Sequence, residues 1–128
     1  MTKEEILRGL GGFTGTECYH RPTISKNFLI TDGVKWMIDT CRAYWLMDII
    51  SSWQPKVRKN PRLQDMQFWR LKVKDKKGII TCEYDKDDIA ETQHIEFTDF
   101  PLDEILIYVQ RNERDGEDVM VACLPSEY

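Results

Sequence analysis

The stretch Trp69-Arg70-Leu71-Lys72-Val73-Lys74-Asp75-Lys76-Lys77-Gly78-Ile79-Ile80-Thr81-Cys82-Glu83-Tyr84, "WRLKVKDKKGIITCEY", decides the fold class. Trp69, Leu71 and Val73 alternate with Arg70, Lys72 and Lys74, the period-two signature of a strand with one buried face. Asp75-Lys76-Lys77-Gly78 reads as a hairpin turn, with Gly78 placed for positive φ. Ile80, Cys82 and Tyr84 carry the return strand. Downstream the pattern repeats. Thr92 to Phe97, Ile105 to Val109 and Val119 to Leu124 read as further strands, and Ile105, Ile107 and Val109 with Leu106 and Tyr108 suggest one buried on both faces.

Upstream the period changes. Thr2 and Glu5 form a capping box for a short first helix, with Ile6, Leu7 and Leu10 on its apolar face and Gly11-Gly12 ending it. Asn27 to Ile30 is a short strand or an extended lead-in. Thr31 or Asp32 caps a long helix from about Val34 to Ser52. Its stripe is Val34, Met37, Ile38, Cys41, Trp45, Ile49 and Trp53, and Pro55 ends it. The expected architecture is therefore α+β: an antiparallel sheet of about four to five strands, one long central helix and a short N-terminal helix. A chain of 128 residues, 41% hydrophobic and 31% charged, fits a single globular domain, 1–128.

No apolar run approaches the ~18 residues of a membrane span. "MTKEEILRGL" lacks the apolar core of a signal peptide, so a cytoplasmic location is expected. Cys18, Cys41, Cys82 and Cys123 are separated by 23, 41 and 41 residues, without CxxC spacing. Reduced thiols and no metal are the expectation. GxGxxG and GxxxxGK[ST] are absent, so no cofactor is expected. The net charge of −4 hides an asymmetry: residues 1–78 hold 15 basic and 8 acidic side chains, a balance of +7, and residues 79–128 hold 3 and 14, a balance of −11. Such a layout suits either a dipolar surface or a soluble acidic strand face.

Reactive side chains are densest in "GFTGTECYHRP", residues 12–22. Glu17, His20 and Arg21 could supply a base, a proton shuttle and an anion clamp; Cys18 with His20 could form a thiolate pair. In an extended segment, however, Glu17, Tyr19 and Arg21 share one side, and Cys18 and His20 the other. The stretch then reads first as a connector that Glu17 and Arg21 tie down by ion pairs and backbone hydrogen bonds while Tyr19 packs, and second as a ligand- or partner-binding segment of Glu17, Tyr19, His20 and Arg21. Trp36 lies off the helix stripe and is a candidate interface residue. His94 sits with Thr92 and Glu96 on a solvent-facing side. Lys56, Arg58, Lys59 and Arg62 form a basic loop, the route left open for direct nucleic-acid contact.

Several stretches together resemble one family: "FTGTE" (13–17), "TDGVK" (31–35), "AYWLMDIISSWQ" (43–54), "FWRLKV" (68–73), "IEFTDFPLDEILIYV" (95–109) and "LPSEY" (124–128). It is a family of small bacterial, plasmid and phage proteins of unknown function, and the resemblance covers Phe13 to Tyr128. It implies a mobile-element setting, in a bacterial or phage-infected cell, and supplies no catalytic residues. The family order before Pro22 is aromatic, Arg, His; here it is Tyr19-His20-Arg21, which argues against a catalytic histidine. The expected function is a non-enzymatic binding protein that occupies a protein or protein–nucleic-acid complex, as an accessory factor or counter-defence inhibitor. The alternative is a small-ligand or nucleotide binder using residues 17–21.

Overall fold

The structure is a computed structural model describing residues 1–23, 25 and 27–128. The quoted hairpin forms as β3 (Met66–Lys74) and β4 (Lys77–Asp85), with Trp69 opposite Cys82 and Leu71 opposite Ile80. The left-handed turn positions are Asp75 (φ 53°) and Lys76 (φ 61°), not Gly78. Gly78 lies within β4, and a Cβ there would meet Leu71 Cδ1 at 3.2 Å and Ile95 Cβ at 3.3 Å. The glycine answers to strand packing rather than to turn geometry.

The chain runs α1 (Lys3–Gly11), β1 (Tyr19–His20), β2 (Phe28–Thr31), α2 (Asp32–Cys41), α3 (Tyr44–Val57), a 3-10 turn (Pro61–Leu63), β3 and β4. It continues through β5 (Asp88–Ile95), β6 (Glu104–Arg114), β7 (Glu117–Cys123) and a closing 3-10 turn, Pro125–Glu127. The fold is α+β, and two details differ from expectation. Among the described residues the sheet has seven strands, in the order β1-β2-β7-β6-β3-β4-β5, and it is mixed: β7 pairs parallel to β2 and antiparallel to β6. All four residues of β2 are buried, so it shows no alternation to read, and its partner lies some ninety residues away in sequence.

The second difference is that the expected long helix is two helices. Arg42 adopts the left-handed conformation (φ 53°, ψ 47°), and the Ile38 carbonyl accepts from the N–H groups of Arg42 and Ala43. This is a C-terminal stop of the kind glycine usually makes. Ala43 is fully buried and α3 restarts behind it. The two non-helical residues reset the phase. The buried face of α3 is Leu46, Met47, Ile50, Gln54 and Val57, while Trp45, Ile49 and Trp53 of the expected stripe are half-buried. Nor does Pro55 end the helix. It sits in the last turn, where it removes one hydrogen bond, and burial of Val57 carries α3 past it.

The helices cover one sheet face. Trp69, Leu71, Ile80, Cys82, Ile105, Ile107 and Val109 join Met37, Ile38, Leu46, Met47 and Ile50 in the main core. On the other face Leu29, Val119 and Val121 form a small second cluster. The β6–β7 hairpin curls back there, bringing the Arg114 guanidinium 4.4 Å from the Tyr19 ring centroid. Among the described residues no helix is long and apolar enough to cross a membrane.

Candidate functional site

The dense stretch 12–22 folds onto the N-terminus of α2. A helix start leaves its first N–H groups without intrahelical partners. Here each finds a side chain. Thr16 Oγ1 accepts from Asp32 N–H at 2.9 Å, Glu127 Oε2 from Gly33 N–H at 3.0 Å, and Thr31 Oγ1 from Val34 N–H at 3.4 Å. Asp32 returns the bonds: its carboxylate accepts from the Glu17 and Cys18 N–H groups at 3.0 and 3.3 Å. His20 Nε2 donates to Asp32 Oδ1 at 2.8 Å. The His20 bond, then the backbone donors, hold the Asp32 carboxyl below its ordinary range. Glu127 also accepts from Thr31 Oγ1 at 2.6 Å, and a Cβ on Gly33 would sit 2.6 Å from Glu127 Oε1. Three of the stretches quoted above, "FTGTE", "TDGVK" and "LPSEY", thus meet in one knot. Its donors are satisfied from within, so it offers no free helix-terminal anion site.

The remaining residues singled out in the sequence are spread around this knot. Glu17 contributes its backbone, Tyr19 is 36% exposed beneath Arg114, and Arg21 is exposed with no ion-pair partner among the described residues. Trp36 is half-buried, tilted against Phe13 with ring centroids 5.8 Å apart and packed over Gly9. His94 is exposed. The cysteines are all unpaired: Cys18 is exposed, and burial pushes the Cys41 thiol up to about 11 and the Cys82 and Cys123 thiols up to about 12.

A cleft of about 750 Å³ lies at the other end of the sheet. Four segments supply its walls. α3 and the two residues just past its end supply Ser51, Arg58 and Lys59; β6 supplies Arg111; β7 supplies Asp118; Asn27 leads into β2. Phe28, Met120 and Gln54 close the floor. Parallel pairing of β2 with β7, with Met120 N–H donating to the Asn27 carbonyl at 2.8 Å, places Asn27 beside the hairpin. Behind the floor Gln54 and Gln67 exchange amide bonds at 2.9 Å, and Gln67 Oε1 also accepts from Trp69 Nε1 at 2.8 Å. This buried network is fully paired and fixes the α3 wall against the sheet. Pro55 has no N–H for the Ser51 carbonyl, which leaves that acceptor without its helical donor at the cleft wall.

The basic patch divides around this cleft. Lys56 pairs with Glu91 at 3.2 Å and Arg62 with Asp88 at 3.2 Å, both on β5. Arg111 is clamped by Asp65 at 2.8 Å and Asp118 at 3.6 Å. Arg58 and Lys59 have no ion-pair partner among the described residues and line the cleft. The macrodipole of α3 favours cations at its end. Arg58 and Lys59 were visible in the sequence as basic-loop residues. Ser51, Asn27, Arg111 and Asp118 were not, because four separate segments meet only through the β2–β7 pairing.

Residues 4–128 match a family of unknown function (DUF6876). No curated protein and no solved structure matches the chain. The chain belongs to this family of unknown function.

Proposed function

We propose that the protein is a non-enzymatic binding protein that acts by occupying a macromolecular partner, and that the cleft at the end of α3 is the surface it presents. The observation that carries this reading is the Arg58–Lys59 pair, uncompensated among the described residues, at a cleft of about 750 Å³, while Lys56, Arg62 and Arg111 beside it are neutralised. Unpaired cations around a concave surface direct their field outward, toward an acidic partner surface. In the 17–21 segment His20 and the backbone of Glu17 are taken up by Asp32 and the Tyr19 ring by Arg114, which leaves Arg21 as its one exposed cation without an ion-pair partner among the described residues, against two at the cleft. A mobile-element setting and an inhibitory, counter-defence role belong to the same proposal and rest on the resemblance.

The test is affinity capture from a lysate of the native host, followed by mass spectrometry, comparing the wild-type protein with Arg58→Glu/Lys59→Glu. Both side chains lie outside the core, so melting should stay within a few degrees of wild type. The expected result is a partner held by the wild-type chain and lost from the variant, with capture weakening as salt rises. Equal capture by both proteins would remove the cleft from the account.

A further inference from the structure

The α3 wall and the hairpin wall of the cleft carry different chemistry, and we infer that the cleft takes a phosphorylated sugar of the ribose-phosphate class, with its phosphate against α3. This rests on the cleft being the recognition surface. Arg58 offers a planar fork and Lys59 a mobile point charge, and the two together suit phosphate oxygens. The Ser51 hydroxyl, on the same wall and 3.4 Å from Thr23 Oγ1, adds a neutral polar group. On the hairpin wall Arg111 lies between Asp65 and Asp118, with its Nε 2.8 Å from Asp65 Oδ1 and its Nη1 3.6 Å from Asp118 Oδ2. An ionised carboxylate has about four lone-pair positions, and one guanidinium leaves most of them available to hydroxyl donors. Carboxylates read ribose hydroxyls in this way elsewhere.

Simpler ligands use the cleft incompletely. An inorganic anion engages only the α3 wall and meets two carboxylates across from it. A neutral sugar leaves Arg58 and Lys59 unanswered. A nucleobase finds no ring to stack on, because Phe28 and Met120 are each only 1% exposed. A volume of about 750 Å³ is larger than a pentose phosphate requires, so the cleft has room for what the sugar is attached to. The same ribose-phosphate unit is supplied by a free nucleotide or by a single RNA strand carried in a larger assembly.

The inference is tested by titrating the ¹⁵N-labelled full chain with ribose 5-phosphate, ribose, inorganic phosphate and a short single-stranded RNA. Ribose 5-phosphate should bind saturably, shift amides near Ser51, Arg58, Lys59, Arg111 and Asp118, and bind at least roughly tenfold more tightly than phosphate or ribose alone, about one hydrogen-bonded contact's worth. Arg58→Ala/Lys59→Ala should abolish it. Asp118→Asn should weaken ribose 5-phosphate several-fold and leave or improve the response to inorganic phosphate, a split that general destabilisation would not produce. Binding of RNA more tightly than ribose 5-phosphate assigns the strand as the source; equal or weaker binding removes the strand and assigns the free phosphorylated sugar unit. No saturable binding of ribose 5-phosphate, equal affinity for inorganic phosphate, or shifts confined to residues outside the cleft would overturn the inference. If it fails while partner capture still depends on Arg58 and Lys59, the ligand class falls and the proposed function stands.

Discussion

His20 and Asp32 stand 2.8 Å apart, and Asp32 also holds two backbone N–H groups of the segment that carries His20. The Asp32 carboxyl is held below its ordinary value by His20 first and the Glu17 N–H second. A depressed carboxyl adds stability that is present above its unfolded value, about 4, and is lost as pH falls through the lower folded value. Asp32→Asn should therefore lower the melting temperature at pH 7 and flatten the acid limb below about pH 4. A variant melting curve parallel to wild type across that range would show that the tie contributes nothing. The density of polar side chains in residues 12–22 was legible in the sequence. The anchor was not: Arg21 was the expected tie, and His20 makes it instead. Nothing in the local spacing points from His20 to a partner twelve residues on.

At the scale of elements, Arg42 shows why helix periodicity misled. Stripe positions 34, 37, 38 and 41 continue numerically into 45, 49 and 53, and no proline or glycine interrupts them. The stop at Arg42 is set instead by tertiary packing, which buries Ala43 and puts Leu46, Met47 and Ile50 in the core. A left-handed non-glycine residue costs about 1 kcal/mol. Arg42 is exposed, so Arg42→Gly should stabilise the fold by up to about 1 kcal/mol in chemical denaturation, at unchanged m-value. A loss of stability of that size would mean that the arginine side chain itself holds the α2–α3 corner. Strands of period two, β3 and β4, were readable because each has one face on the core; β6, expected to be buried on both faces, buries Ile105, Ile107 and Val109 on one, while Leu106 and Tyr108 on the other are half-buried. Short β1 and fully buried β2 have no such contrast, and parallel pairing with β7 leaves no local mark in either strand.

At the scale of the whole molecule, the charge asymmetry along the sequence is largely folded across itself. Bases of the first part meet acids of the second in Lys3–Asp103, Lys56–Glu91, Arg62–Asp88, Arg70–Glu83 and Lys72–Glu104. Most of these pairs are exposed, so each adds little stability. Their effect is on the field: they quench the patch around Lys56 and Arg62 and leave Arg58 and Lys59 as its active remainder. The acids without such partners are divided among the β4–β5 turn (Asp85, Asp87), the segment after β5 (Glu96, Asp99) and the β6–β7 tip, where Glu113, Asp115 and Glu117 are exposed. Two surfaces therefore compete as the recognition face, the segment at Arg21 and the cleft at Lys59. A photo-crosslinking residue placed at either position, in otherwise wild-type protein, separates them most directly. The account predicts a specific partner adduct from position 59 and none from position 21, with the position-59 adduct lost when Arg58→Glu is added. An adduct from position 21 alone would contradict it.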